Sequence, residues 1–112
     1  MSLPHPTADE IDLATVLAVL GDRTRLAIVA DLARSGDLPL ACHRFSGLGS
    51  KTNLSYHLAK LRQAGITRTE ARGTSRLITL RRAELDLRFP GLLDSILAGA
   101  GALAFDPDEA DP

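Results

Sequence analysis

The sequence predicts a mainly α-helical chain carrying one small β-hairpin, an α+β domain. Three observations lead there. Apolar residues recur at helical spacing over 13–20, 26–32, 54–61 and 92–103. In one short region, 66–80, β-branched residues take over and the spacing moves toward two. The length of 112 residues, 45% of them hydrophobic and 24% charged, suits one ordinary globular domain and is too short for two. The aromatic residues are Phe45, Phe89, Phe105 and Tyr56, and Met1 is the lone methionine. The core must therefore be built from Leu, Ile, Val and Ala. A chain of this size buries only about 60–70% of its unfolded surface, so burial against a second copy would be a natural supplement.

Each element has its own local signal. Thr7-Ala8-Asp9-Glu10 has the form of a capping box and predicts a first helix that carries Leu13, Val16, Leu17 and Leu20 and ends at Gly21. Asp22 caps a second helix, with Leu26, Ile28, Val29 and Leu32 inward and Ser35-Gly36 closing it. Pro39 suits the opening turn of a short third helix running to about Phe45. Gly47-Leu48-Gly49 forms a turn, and Ser50 caps a fourth helix from Lys51 to Ala64, stopped by Gly65. Its apolar stripe is Leu54, Leu58 and Leu61, and the remaining positions are polar or small. Residues 66–71 and 76–80 then read as two strands flanking the tip Arg72-Gly73-Thr74-Ser75. A connector over 81–90 leads through Phe89-Pro90-Gly91 into a last helix with Leu92, Leu93, Ile96, Leu97, Ala100 and Leu103. Gly99 and Gly101 weaken that helix by roughly 1 kcal/mol each against alanine, so it needs a packing partner. The expected division is an N-terminal flexible segment at 1–8, a domain at 9–104 and an acidic tail at 105–112.

The net charge of −1 conceals a strong segregation. Residues 1–22 and 91–112 contain acids and neither Lys nor Arg. Between 51 and 88 nine bases stand against three acids, an excess that an anionic partner could read and that a merely solvated surface would also produce. The single cysteine, Cys42, excludes an internal disulfide and suits a reducing compartment. No stretch has the form of a signal peptide, and Leu92 to Phe105 is too short and too interrupted to span a bilayer. A cytoplasmic protein without membrane contact is expected.

Helix, helix, short helix, turn, polar-faced helix, basic hairpin and helix is the order of a winged helix-turn-helix. The major groove of B-DNA, about 12 Å wide, admits one α-helix whose far face is anchored. The helix at about 51–64 meets that requirement. Near its start stand Lys51, Thr52, Asn53, Ser55 and Tyr56, with Lys60 further along. Asn pairs bidentately with adenine and Thr meets a thymine methyl group or donates a hydrogen bond, while Lys, Ser and Tyr also suit phosphate oxygens. The hairpin at about 71–76 would be the wing, with Arg72, Thr74 and Arg76 along the backbone or in the minor groove. The expected partner is double-stranded DNA. A winged-helix module that binds another protein is the alternative.

Three motifs carry a family resemblance. Leu20-Gly21-Asp22-Arg23-Thr24-Arg25-Leu26 resembles the helix-two signature of the arsenical-resistance repressor (ArsR) family, Ser55-Tyr56-His57-Leu58 through Ala64-Gly65-Ile66 resembles its recognition helix and exit, and Arg72-Gly73 resembles its wing. The resemblance spans residues 10 to about 103. It implies a homodimer formed by the first and last helices, with Leu13, Val16, Leu17, Leu93, Ile96, Leu97 and Ala100 as interface residues. It further implies an inverted-repeat operator and repression released by an effector. Many relatives sense thiophilic metals through paired cysteines in the third helix, whereas this chain has Cys42-His43 there and no Cys-x-Cys pair. Adjacent residues on a helix diverge by about 100°. Such a two-ligand remnant is short of the four usual at a structural zinc site; a divalent metal would need a dimer to complete its site from two chains, with Cys42, His43, His5 and Asp94 as the candidate ligands. The simpler expectation is that Cys42 is a small buried hydrophobe and His57 a satisfied histidine supporting the fold. Catalysis is not expected: the chain has no Ser/His/acid grouping at plausible spacing, no phosphate-cradling glycine loop and no His-Glu-x-x-His.

Overall fold

The computed structural model describes residues 3–100, and its elements follow from the caps and breaks along the chain. The Thr7–Glu10 box closes only one 3-10 turn, Ala8–Glu10, in which the Glu10 carboxylate accepts from the Thr7 N–H at 2.8 Å. The chain then extends through Ile11, whose side chain is buried. Asp12 is the cap of the first α-helix, α1 (Leu13–Leu20), and accepts from the Thr15 N–H at 3.0 Å. The box and the helix are thus two elements, because Ile11 leaves the helix to enter the core. Val16, Val19 and Leu20 of α1 are buried, while Leu13 and Leu17 point outward.

Asp22 caps α2 (Arg23–Arg34) by accepting from the Arg25 N–H at 3.0 Å. Six consecutive residues of α2, Ala27 to Leu32, are buried, which makes it the central helix with partners on every side. Gly36 and Asp37, both at positive φ (76° and 62°), turn the chain after it. There the structure departs from the expected third α-helix. Leu40–Ala41 is a strand, β1, and Cys42–Leu48 is a 3-10 helix that buries Phe45. Pro39 precedes an extended segment, which its fixed φ and missing N–H allow as readily as a helix start.

Ser50 caps α3 (Lys51–Gln63), accepting from the Asn53 N–H at 3.0 Å, and Gly65 at φ 82° ends the turn that follows. The strands β2 (Thr67–Arg72) and β3 (Ser75–Leu80) form the predicted hairpin, from Thr67 opposite Leu80 to Arg72 opposite Ser75. Gly73, at φ 60°, opens the two-residue turn, and Thr74 keeps negative φ, the pattern of a type II′ hairpin. β1 pairs antiparallel with β3, giving a three-stranded sheet in the order β1-β3-β2. The expected connector contains a helix, α4 (Arg82–Arg88), which buries Leu85. Gly91, at φ 81°, precedes α5 (Leu92–Gly99). Leu103, Phe105, the boundary at 104 and the acidic tail lie outside the described residues.

This is an α+β winged-helix-like fold around a core of Leu, Ile, Val and Ala, with Phe45 its one fully buried aromatic residue among those described. The N-terminal residues are fastened to the far side of the sequence. Arg81, itself 4% exposed, donates to the Pro6 carbonyl at 2.8 Å, and Arg88 donates to the carbonyls of Ala8 and Asp9 at 2.9 and 2.8 Å. The Thr69 N–H on the edge strand donates to His5 Nε2 at 3.0 Å.

Candidate nucleic-acid interface

α3 is anchored along one face and open along the other. Leu54, His57 and Leu61 are buried and Leu58 half-buried, so the apolar stripe read from the leucines includes a histidine. Lys51, Thr52, Asn53, Ser55 and Tyr56 are exposed and Lys60 half-exposed, its ammonium 5.4 Å from the centre of the Tyr56 ring. Two sequence motifs that are 32 residues apart meet at this helix. Arg25 Nη1 donates to His57 Nδ1 at 3.1 Å, while Arg25 Nε donates to the Val19 carbonyl at 2.7 Å. A guanidinium has donors only, so Nδ1 accepts and the ring proton sits on Nε2. The Asp22 carboxylate lies 4.0 Å from the same nitrogen. The hydrogen bond from the Arg25 N–H, then the Arg25 guanidinium, outweigh partial burial and hold Asp22 below the ordinary aspartate range. The end of α1, the start of α2 and the middle of α3 are thereby fixed to one another.

A second contact fixes the 3-10 helix that precedes α3. Asp31, 2% exposed, is held by Arg44 Nε and Nη2 at 2.6 and 3.1 Å and by Arg34 Nη2 at 3.0 Å. A buried carboxylate needs such partners, since desolvation alone would be costly. The charge pattern of the sequence does not reveal this residue, because an acid inside an apolar helix shows its burial only through the tertiary contact.

The hairpin presents Arg72, Gly73, Thr74 and Arg76 to solvent. The basic excess of 51–88 is narrower at the surface than in the sequence. Arg81 and Arg88 donate to backbone carbonyls, Arg68 faces Glu84, and Arg82 is paired with Asp37 and Asp94. Lys51, Arg72 and Arg76 remain exposed with no acidic partner among the described residues.

The metal candidates are separated by their contacts. His5 accepts from Thr69, and Asp94 pairs with Arg82 at 2.8 Å. Partial burial first, and then Arg68, keep the His5 imidazole below its ordinary range and favour that neutral acceptor. Cys42 is half-buried and His43 exposed on the 3-10 helix. Among the described residues no three His, Cys, Asp or Glu side chains are grouped to hold a metal ion. The seven interface candidates also divide. Leu13 and Leu17 are 42% and 47% exposed and Ile96 and Leu97 half-buried, whereas Val16, Leu93 and Ala100 are filled within the chain itself. α1 and α5 each turn one side into their own core and the other outward.

No helix among the described residues is long and apolar enough to cross a membrane. The chain matches no protein-family model. It is 32% identical over 94 residues to YceK of Bacillus subtilis (strain 168), an uncharacterized HTH-type transcriptional regulator, in an alignment covering 80% of this chain and 90% of that protein.

Proposed function

Since this chain belongs to the HTH-type transcriptional regulators, we propose that it binds an inverted-repeat operator in double-stranded DNA as a homodimer and represses transcription until an effector releases it. The observation that carries this reading is α3: a helix locked by Leu54, His57 and Leu61 on one side that offers Lys51, Thr52, Asn53, Ser55 and Tyr56 at its free N-terminal end. In this assignment Asn53 and Thr52 read base edges, and Lys51, Ser55, Tyr56 and Lys60 reach phosphates and bases. Arg72, Thr74 and Arg76 follow the backbone beside the same site. A regulator of this kind has no catalytic step to perform.

The arsenical-resistance repressor family is the subfamily we favour. Its support is the pairing of Arg25 with His57, which joins two of the three motifs on which the resemblance rests. A dimer would form through Leu13 and Leu17 of α1 with Ile96 and Leu97 of α5. The reading is tested by selecting genomic fragments with purified protein at two salt concentrations. Enrichment of an inverted repeat, weakened by salt, is the expected result. A folded protein that enriches nothing at either concentration would overturn the reading.

A further inference from the structure

A cavity of about 390 Å³ lies between the 3-10 helix Cys42–Leu48 and the first two turns of α3. Its volume falls in the range of small-molecule sites, about 300–1,000 Å³. Its floor is apolar, formed by Cys42, Leu54 and Leu58. Its rim carries His43, Ser55 and Lys51, and no Asp or Glu lines it. Lys51 has no acidic partner among the described residues, and the cavity opens at the positive end of a 13-residue helix. The wall opposite α3 is also unusual. A seven-residue 3-10 run is longer than the three or four residues common for that helix, whose hydrogen-bond geometry is poorer than that of an α-helix.

We propose that this cavity binds a small molecule with an apolar body and one anionic head, the body against Cys42, Leu54 and Leu58 and the head at Lys51. Because Lys51 and Ser55 also belong to the DNA-contacting set, occupation of the cavity and DNA binding exclude each other. That second half rests on the function proposed above, and the first half does not.

The probe is 2-naphthoate, followed by amide chemical shifts of the isotopically labelled chain. Saturable shifts concentrated between residues 42 and 58 are expected, together with at least a tenfold loss of duplex affinity at saturation. The neutral analogue 2-naphthalenemethanol should bind about tenfold more weakly, and Lys51→Gln should erase that preference while leaving the thermal transition in place. Alkylating Cys42 with N-ethylmaleimide should block naphthoate, with Cys42→Ser as the unreactive control. Shifts confined to α1 and α5, or none at all, would overturn the site. Shifts at 42–58 in a protein that binds no duplex would uphold the site and locate the failure in the DNA-binding reading.

Discussion

Gly65 is the position where one added methyl group has the most calculable consequence. Its φ of 82° lies in the left-handed region, and a Cβ built there would stand 2.5 and 2.9 Å from Ile11 Cγ1 and Cδ1 and 3.3 Å from Pro6 Cγ. Ile11 is 1% exposed and has no free space to enter. Gly91 gives the matching control, at φ 81° with nothing within 4 Å of its Cβ. Left-handed strain costs about 1–2 kcal/mol, partly offset by about 0.4–1 kcal/mol from a less flexible unfolded chain. Gly91→Ala should therefore cost about 0–1.6 kcal/mol. Gly65→Ala adds the overpacking of Ile11, about 1–3 kcal/mol, for a total of about 1–4.6 kcal/mol. Urea unfolding at a single protein concentration measures both, since association would add to apparent stability. If the two variants agree within about 0.5 kcal/mol, the contact between Gly65 and Ile11 is not what requires glycine there.

Four other outcomes are expected. Asp31→Asn removes the carboxylate that Arg34 and Arg44 share; both guanidiniums are about half exposed and can be rehydrated, so the loss should be about 2 kcal/mol, read as a Tm drop near 10 °C. Asp22 is held below the ordinary aspartate value of 3.8, so its contribution is complete above that value and fades as the pH falls through the lower folded value. Asp22→Ser keeps a capping oxygen without the charge, and its stability deficit in denaturant titrations should shrink as the pH is lowered from about 5 toward about 2. Replacing Arg72 and Arg76 together with Ala should weaken binding to all duplexes and reduce the salt slope by about 1.8, while Asn53→Ala should relax sequence preference more than affinity. Leu13→Glu with Leu17→Glu should yield a folded monomer by sedimentation, because both side chains already face outward.

The helices announced themselves where caps and periodicity agreed, as at Asp22 with α2 and Ser50 with α3. The hairpin did so through its β-branched runs and its Gly73 turn. What stayed hidden has physical reasons. β1 is two residues long, so it shows no alternation, and its pairing with Leu77 and Ile78 lies far along the chain. α4 has seven residues and a single buried apolar anchor, Leu85, too few for a period to emerge. The candidate DNA-contacting residues were legible as polar positions opposite leucines. The support for them was not: His57 and Asp31 are polar residues inside apolar faces, and only their arginine partners explain them. A count of bases likewise cannot separate Arg81, turned inward to a carbonyl, from Arg72, which faces solvent.

The fastening of the N-terminal residues bears on how the chain comes together during synthesis. The hydrogen bonds that hold Pro6, Ala8 and Asp9 reach across 75 to 80 residues, and the one at His5 across 64. At a translation rate of about 5–20 residues per second, Arg88 follows Ala8 by roughly 4–16 s. Residues 5–9 are thus made before their anchors, which lie on β2, at Arg81 and on α4. Closing a loop of that length is entropically costly before any contact offsets it. The segment around residues 5–9 thus waits for partners made 64 to 80 positions later before it can dock.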